Sequence, residues 1–165
     1  MKKFLITILE VVLIALAIFG IVTVLNSVAF SEDLYEMYVI CQPDDYVNVR
    51  MNPSRKSSVV GYVEAGDRFL TDGRKKNGYI RCYGIGETGE GWIHCGYVVD
   101  DRPERVSGTA VVVSNGRLAA RKCIGGKTRK WLKNMDIVKI YWISDEWAIT
   151  DKGFVKNNYL EMEGA

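Results

Sequence analysis

The chain has 165 residues, of which 48% are apolar and 25% are charged, and its formal net charge at pH 7 is +2. These values lie near the average for globular proteins, so they exclude a wholly disordered chain and a membrane protein with many spanning segments. The arrangement of the residues along the chain is more informative than their totals.

The first segment, residues 1–30, is predicted to be a membrane anchor. From Phe4 to Leu25 the only charged residue is Glu10, and these 22 residues would form a helix of about 33 Å, enough to cross a ~30 Å hydrocarbon core. Lys2 and Lys3 precede the apolar run, and acidic residues follow it. The positive-inside rule therefore predicts a single-pass protein of the cell membrane with a cytoplasmic N-terminus and extracellular C-terminal domains.

The alternative for this segment is a cleaved signal peptide. Ser27 and Ala29 are small residues at the two positions that a signal peptidase prefers, which would place the cleavage before Phe30. The protein would then be secreted, and the sequence leaves both possibilities open.

After Phe30 the chain consists of short β-rich runs separated by turn residues. The spacing predicts strands at Tyr38–Cys41, Tyr46–Arg50, Val59–Val63, Arg68–Thr71, Tyr79–Tyr83 and Gly91–His94. Turn sequences rich in Gly, Pro, Asn and Asp lie between these runs. Strands this short and this closely spaced are typical of a small antiparallel barrel or sandwich.

The same order of motifs then recurs, which predicts an internal duplication. Three pairs of segments match: residues 47–50 with 118–121, residues 62–69 with 131–138, and residues 91–98 with 153–160. We therefore predict one domain at residues 35–100 and a second, diverged copy at residues 105–162. The polar, proline-bearing segment between them is the expected boundary.

The first copy carries six short motifs in a fixed order. They are Val47-Asn48-Val49-Arg50 with Asn52-Pro53-Ser54, then Val60-Gly61-Tyr62-Val63, Ala65-Gly66-Asp67, Asn77-Gly78-Tyr79, Gly91-Trp92-Ile93-His94 and Tyr97-Val98. This order resembles the bacterial SH3-like (SH3b) domain family over almost all of residues 38–99. The second copy resembles a diverged member that has lost the Asn-x-Arg-x-x-Pro form of the opening motif.

The resemblance implies an all-β fold of two tandem small SH3-like β-barrels, preceded by one N-terminal transmembrane helix. It also implies a function, because such barrels in bacteria chiefly hold peptidoglycan or wall-linked peptides. Aromatic faces can stack on sugars and peptide stems while loop amides supply hydrogen bonds. From aromatic type and position near turns, the candidate ligand contacts are Tyr46, Arg50, Tyr62, Tyr79 and Trp92 in the first copy and Arg121, Trp131, Trp142 and Trp147 in the second.

Catalysis, metals and cofactors are not expected. His94 and Cys95 are neighbours in a predicted strand, so their side chains point to opposite faces and cannot form a thiolate–imidazole couple with each other. His94 is the only histidine and is expected to face solvent near a loop. None of the four cysteines belongs to a C-x-x-C pair, which argues against a structural zinc site.

The cysteines Cys41, Cys82, Cys95 and Cys123 allow three complete disulfide pairings, among which the sequence cannot choose. An exported protein is permitted disulfides but does not require them. Cys82 lies in the predicted strand Tyr79–Tyr83, and we expect it to be a small core residue.

Charge is distributed unevenly between the two copies. Residues 31–104 carry a net charge of −4 and residues 105–165 a net charge of +5. Basic side chains crowd the first half of the second copy, at Arg117, Arg121, Lys122, Lys127, Arg129, Lys130 and Lys133. They are candidates for binding an anionic wall polymer or the membrane surface, for packing against the acidic first copy, or for a merely solvated face.

The sequence thus predicts a membrane-anchored, non-catalytic binding protein whose partner is peptidoglycan or a wall-linked peptide. The alternatives are a protein–protein interaction module or scaffold of an envelope complex, and a secreted, cleaved wall-binding protein. Nucleic acid is not an expected partner, because the predicted location is extracellular.

Overall fold

A computed structural model describes residues 33–86 and 88–162. These residues form strands, turns and two short 3-10 helices arranged around two antiparallel sheets, which confirms the all-β class. The predicted anchor lies outside the described residues. Within the described ranges, no helix has the length and apolar character that crossing a membrane requires.

The first sheet is formed by eight strands between residues 35 and 99. They are β1 Tyr35–Val39, β2 Tyr46–Arg50, β3 Val59–Glu64, β4 Arg68–Thr71, β5 Lys75–Lys76, β6 Tyr79–Tyr83, β7 Glu90–His94 and β8 Val98–Val99. The hydrogen-bonded order is β3-β2-β7-β6-β4-β1-β8, with β5 paired to β6. A 3-10 helix at Cys95–Tyr97 joins β7 to β8.

The second sheet is formed by seven strands between residues 104 and 162. They are β9 Glu104–Val112, β10 Leu118–Arg121, β11 Thr128–Leu132, β12 Ile137–Ile143, β13 Trp147–Thr150, β14 Gly153–Lys156 and β15 Leu160–Met162. Their order is β11-β10-β14-β13-β12-β9-β15, and a 3-10 helix at Asn157–Tyr159 joins the last two strands in sequence. Strand for strand, this is the order of the first sheet without β5.

Alternating side chains build a separate core for each sheet. In β2, Val47 and Val49 are buried while Tyr46 faces solvent, as the two-residue period of a strand requires. The first core also contains Ile80, Ile93 and Cys82, and the prediction that Cys82 is a core residue is confirmed by its 0% exposure. The second core contains Val112, Ala120, Leu132, Val138, Ile140 and Val155. Burial of each larger side chain contributes roughly 1.5–3 kcal/mol.

A third apolar cluster joins the two sheets. Ile40 and Val99 of the first pack with Trp147, Ile149 and Phe154 of the second. From Leu34 onward, the described residues accordingly form one compact unit.

Hydrogen bonds also cross between the sheets. The amide of Ile124 donates to the carbonyl of Gly96 at 2.9 Å, and the side-chain amide of Gln42 donates to the carbonyl of Thr150 at 3.1 Å. None of the ion pairs between described residues joins the two sheets. Among the described residues the two sheets therefore meet through apolar side chains and hydrogen bonds, without a direct ion pair.

Candidate ligand-binding cleft

A cleft of about 520 Å³ lies between the two sheets. One wall is formed by the turn between β1 and β2 together with the end of β3, and the other by β9 and β12. This volume falls within the range of small-molecule pockets. Two of the predicted contact residues, Tyr46 and Trp142, line it.

The first-sheet wall is acidic. Asp44 and Asp45 occupy the turn, where Asp44 has a φ of 59°, and the Oδ1 atom of Asp45 accepts a hydrogen bond from the amide of Tyr46 at 2.9 Å. Glu64 ends β3 directly opposite Tyr46 in the strand register. Three exposed carboxylates therefore face the cleft around one tyrosine.

The second-sheet wall is basic. Arg105 on β9 and Lys139 on β12 line the cleft, and the pairing of these strands places Arg105 opposite Trp142. The ammonium of Lys139 lies 5.3 Å from the ring centroid of Tyr141, a cation–π distance. Cations and aromatic rings thus alternate along this wall.

Aromatic rings continue from the cleft onto the outer surface of the first sheet. Tyr46 and Tyr62 are 55% and 61% exposed, and their rings meet edge to face with centroids 4.8 Å apart. Trp142 is half-buried, with its ring tip against Gly66. Tyr46 and Tyr62 thus form an exposed aromatic pair, and Trp142 lines the same cleft as Tyr46.

The predicted contact residues fall into three groups by exposure. Tyr46, Tyr62 and Trp131 are exposed; Arg50, Trp92, Arg121 and Trp142 are half-buried; Tyr79 and Trp147 are buried, at 7% and 8% exposure. The structure places Tyr46 and Trp142 in the lining of the cleft, and the ring of Tyr62 packs on that of Tyr46. The rings of Tyr79 and Trp147 instead contribute to packing, and Trp147 belongs to the cluster between the sheets.

The two predicted arginines make the same internal contact in their respective sheets. The guanidinium of Arg50 donates to the carbonyl of Ser57 at 2.7 Å, and that of Arg121 donates to the carbonyl of Gly126 at 2.8 Å. Each arginine thus holds the turn that follows its strand. Part of their hydrogen-bonding capacity is consequently used within the fold.

His94 is half-buried, so the expectation of a solvent-facing imidazole was wrong. Its Nδ1 atom accepts a hydrogen bond from the amide of Gly96 at 3.1 Å, and its ring packs edge to face on Tyr79 at 5.2 Å. Burial lowers the pKa of His94 below its ordinary value. The imidazole caps the 3-10 helix that joins β7 to β8.

All four thiols are free, and none is activated as a nucleophile. Burial raises the pKa of Cys41 to about 11 and that of Cys82 to about 12, and it also raises the pKa values of Cys95 and Cys123. Reactive cysteines require the opposite shift, because the thiolate is the attacking species. No group of metal-ligating side chains occurs within residues 33–86 and 88–162.

Sequence reasoning missed all of the charged lining of the cleft, namely Asp44, Asp45, Glu64, Arg105 and Lys139. The opposite net charges of the two copies were the available signal. They did not show that the two walls would face each other, since this depends on how the sheets pack.

No family model and no curated protein matches the chain. Among solved structures, NlpC1 from Trichomonas vaginalis is 11% identical with a TM-score of 0.33, and the alignment covers 78% of this chain and 45% of that one. NlpC2 from the same organism is 9% identical with a TM-score of 0.35, covering 80% and 49%. This chain thus spans about half the length of these structures, and at such TM-scores the likeness carries no argument about function.

Proposed function

We propose that this chain is a membrane-anchored, non-catalytic binding protein of the bacterial cell envelope. In this proposal its two sheets are tandem SH3-like barrels of the SH3b family, residues 1–30 are the anchor, and the ligand is wall peptide or glycan. The motif order of the first copy and the shared strand order of the two sheets support the fold assignment. The apolar run from Phe4 to Leu25 supports the location.

The observation that carries the proposal is the exposed aromatic pair formed by Tyr46, which lines the cleft, and Tyr62, which packs on it. A rigid aromatic surface beside a polar cleft suits stacking on a sugar ring or a peptide stem. The lack of activation at the four thiols and the engagement of His94 in a cap favour binding over catalysis.

The test is retention of residues 31–165 on insoluble peptidoglycan, with and without its anionic polymers, at low and high salt. This fragment is suitable because the residues from Leu34 onward enclose their own cores. We expect retention on the stripped wall at high salt, weakened about tenfold in a Tyr46→Ala, Tyr62→Ala double variant.

Tyr35→Ala is the matched control, because Tyr35 is 48% exposed and does not line the cleft. Absence of retention under every condition would reject wall binding and favour a protein partner in the envelope. Equal losses of retention in the control and the double variant would reject the assigned binding surface.

An anionic wall polymer is a second candidate ligand, favoured by strand β11. This strand lies at one end of its sheet, and Trp131 on it is 54% exposed. Arg129, Lys130 and Lys133 surround Trp131, and none has an ion-pair partner among the described residues. Binding through this surface would weaken steeply with salt, whereas retention insensitive to salt would exclude it.

A further inference from the structure

We propose that the cleft recognises a zwitterionic short peptide, with its ammonium group at the acidic wall and its carboxylate at the basic wall. This proposal rests on the proposed function and names the ligand class of the same site. The cleft places Asp44, Asp45 and Glu64 on one side and Arg105 and Lys139 on the other.

These opposite charges share one cleft without pairing across it. Within the described ranges, no ion pair engages the carboxylates of Asp44 and Glu64 or the cations of Arg105 and Lys139. The ammonium of Lys139 makes a cation–π contact with the ring of Tyr141. Both walls therefore keep their charges available to a ligand.

The chemistry of the basic wall suits a carboxylate. A guanidinium presents a planar fork that matches two carboxylate oxygens, and an ammonium adds a second positive charge. Trp142 lies opposite Arg105 in the strand register and supplies an apolar surface for the carbon atoms of the ligand.

The acidic wall restricts the choice of ligand. A polyanion would be repelled by Asp44, Asp45 and Glu64, and a neutral glycan would gain nothing from charges of both signs. A ligand with a free amine at one end and a free carboxylate at the other satisfies both walls. Peptides have this chemistry.

The two walls are held in a fixed relation before any ligand arrives. The cluster of Ile40, Val99, Trp147 and Phe154 lies between the sheets. Gln42, which lines the cleft, is hydrogen-bonded to the opposite sheet at the carbonyl of Thr150. A preorganised site loses less entropy on binding than a flexible one.

The probe is the set of peptides released from purified wall by amidase digestion, used intact, after acetylation of the amines, and after amidation of the carboxylates. Binding to the full chain in detergent is measured by calorimetry. We expect either blocking step to weaken binding about tenfold or more, as the loss of a charged hydrogen bond does.

The variants Arg105→Gln and Glu64→Gln link each wall to one end of the ligand. Arg105→Gln should weaken the binding of intact peptides about tenfold and have little further effect on the binding of amidated peptides. Glu64→Gln should likewise weaken the binding of intact peptides and have little further effect on the binding of acetylated peptides. Arg55→Gln and Glu161→Gln are controls, because both positions are exposed and neither lines the cleft.

Blocked peptides that bind as well as intact ones would overturn the proposal, as would equal effects of the cleft and control variants. Retention on whole peptidoglycan without binding of released peptides would reject this inference and leave wall binding intact. Binding of the peptides without retention on the wall would reject wall binding and leave this inference intact.

Discussion

The imidazole of His94 performs a structural task that has no counterpart in the second sheet. Its Nδ1 atom accepts from the amide of Gly96, whereas Lys156 at the corresponding position makes no side-chain cap. Only an unprotonated Nδ1 can accept this hydrogen bond. The cap is therefore sensitive to pH.

We predict that stability falls as the pH drops through the titration range of His94. Its pKa in the folded protein is lowered by burial, so the unfolded chain binds the proton more readily. The contribution of His94 is complete above the unfolded value of about 6.5 and decreases as the pH falls toward the folded value. Urea unfolding at several pH values between 5 and 8 measures this dependence.

His94→Asn is the companion variant, because asparagine can accept the same hydrogen bond without titrating in this range. This variant should show a weaker dependence of unfolding free energy on pH than the parent chain. If the pH dependence is the same in both proteins, other titratable groups cause it.

At the level of single residues, the sequence predicted part of the candidate site. Tyr46 and Tyr62 were selected for their aromatic type and their position near turns, and both are exposed on strands of the first sheet. Tyr79 and Trp147 have the same residue types, but burial distinguishes them, and burial follows from packing between strands and between sheets. Residue type alone could not separate the two groups.

Close approaches between two pairs of neighbouring strands show why glycine begins the aromatic motif in both sheets. A Cβ atom on Gly153 would lie 2.4 Å from the carbonyl oxygen of Arg121, and one on Gly91 would lie 2.4 Å from the side chain of Val49. Gly153 also has a φ of +131°, a conformation that residues with side chains rarely adopt. The backbone of β14 can approach β10 this closely only because the side chain is missing.

We predict that Gly153→Ala destabilises the protein by about 3 kcal/mol, through backbone strain and the clash with Arg121. Gly116→Ala is the matched control, since a Cβ atom there meets no other atom within 4 Å. The difference in urea midpoint between the two variants is the measurement. A Gly153→Ala protein as stable as the control would contradict the close approach of β14 to β10.

Most strands of the first sheet were predictable because alternation and turn residues are local signals. The predicted bounds of β2, β4 and β6 match those observed, and β3 and β7 differ by one residue each. β1 was placed at Tyr38–Cys41 but runs from Tyr35 to Val39, since its outer half pairs with β4. The two-residue strands β5 and β8 carry no detectable pattern, and their pairing depends on neighbouring strands.

At the largest scale that the structure describes, two sheets of matching strand order form one unit from Leu34 onward, with three apolar clusters. The third cluster includes side chains from both sheets, so each sheet covers apolar surface of the other. Sequence motifs predicted two copies but not this contact, because the contact depends on how the two sheets pack against each other.

The shared cluster predicts that the two sheets unfold together. Ile40 and Ile93 form a matched pair for testing this, since both are fully buried isoleucines, the first in the shared cluster and the second in the core of the first sheet. Each change to alanine should cost about 3 kcal/mol. Ile40→Ala removes contacts with the second sheet, whereas Ile93→Ala leaves them in place.

Hydrogen exchange in increasing urea, followed by mass spectrometry, separates these effects. The hairpins β2–β3 and β10–β11 report on the two sheets. In the parent chain and in Ile93→Ala, both hairpins should lose protection at one urea concentration, because the intact interface couples them. In Ile40→Ala the two midpoints should separate. If they already differ in the parent chain, the sheets are independent, and the walls of the cleft are not held together by the cluster between them.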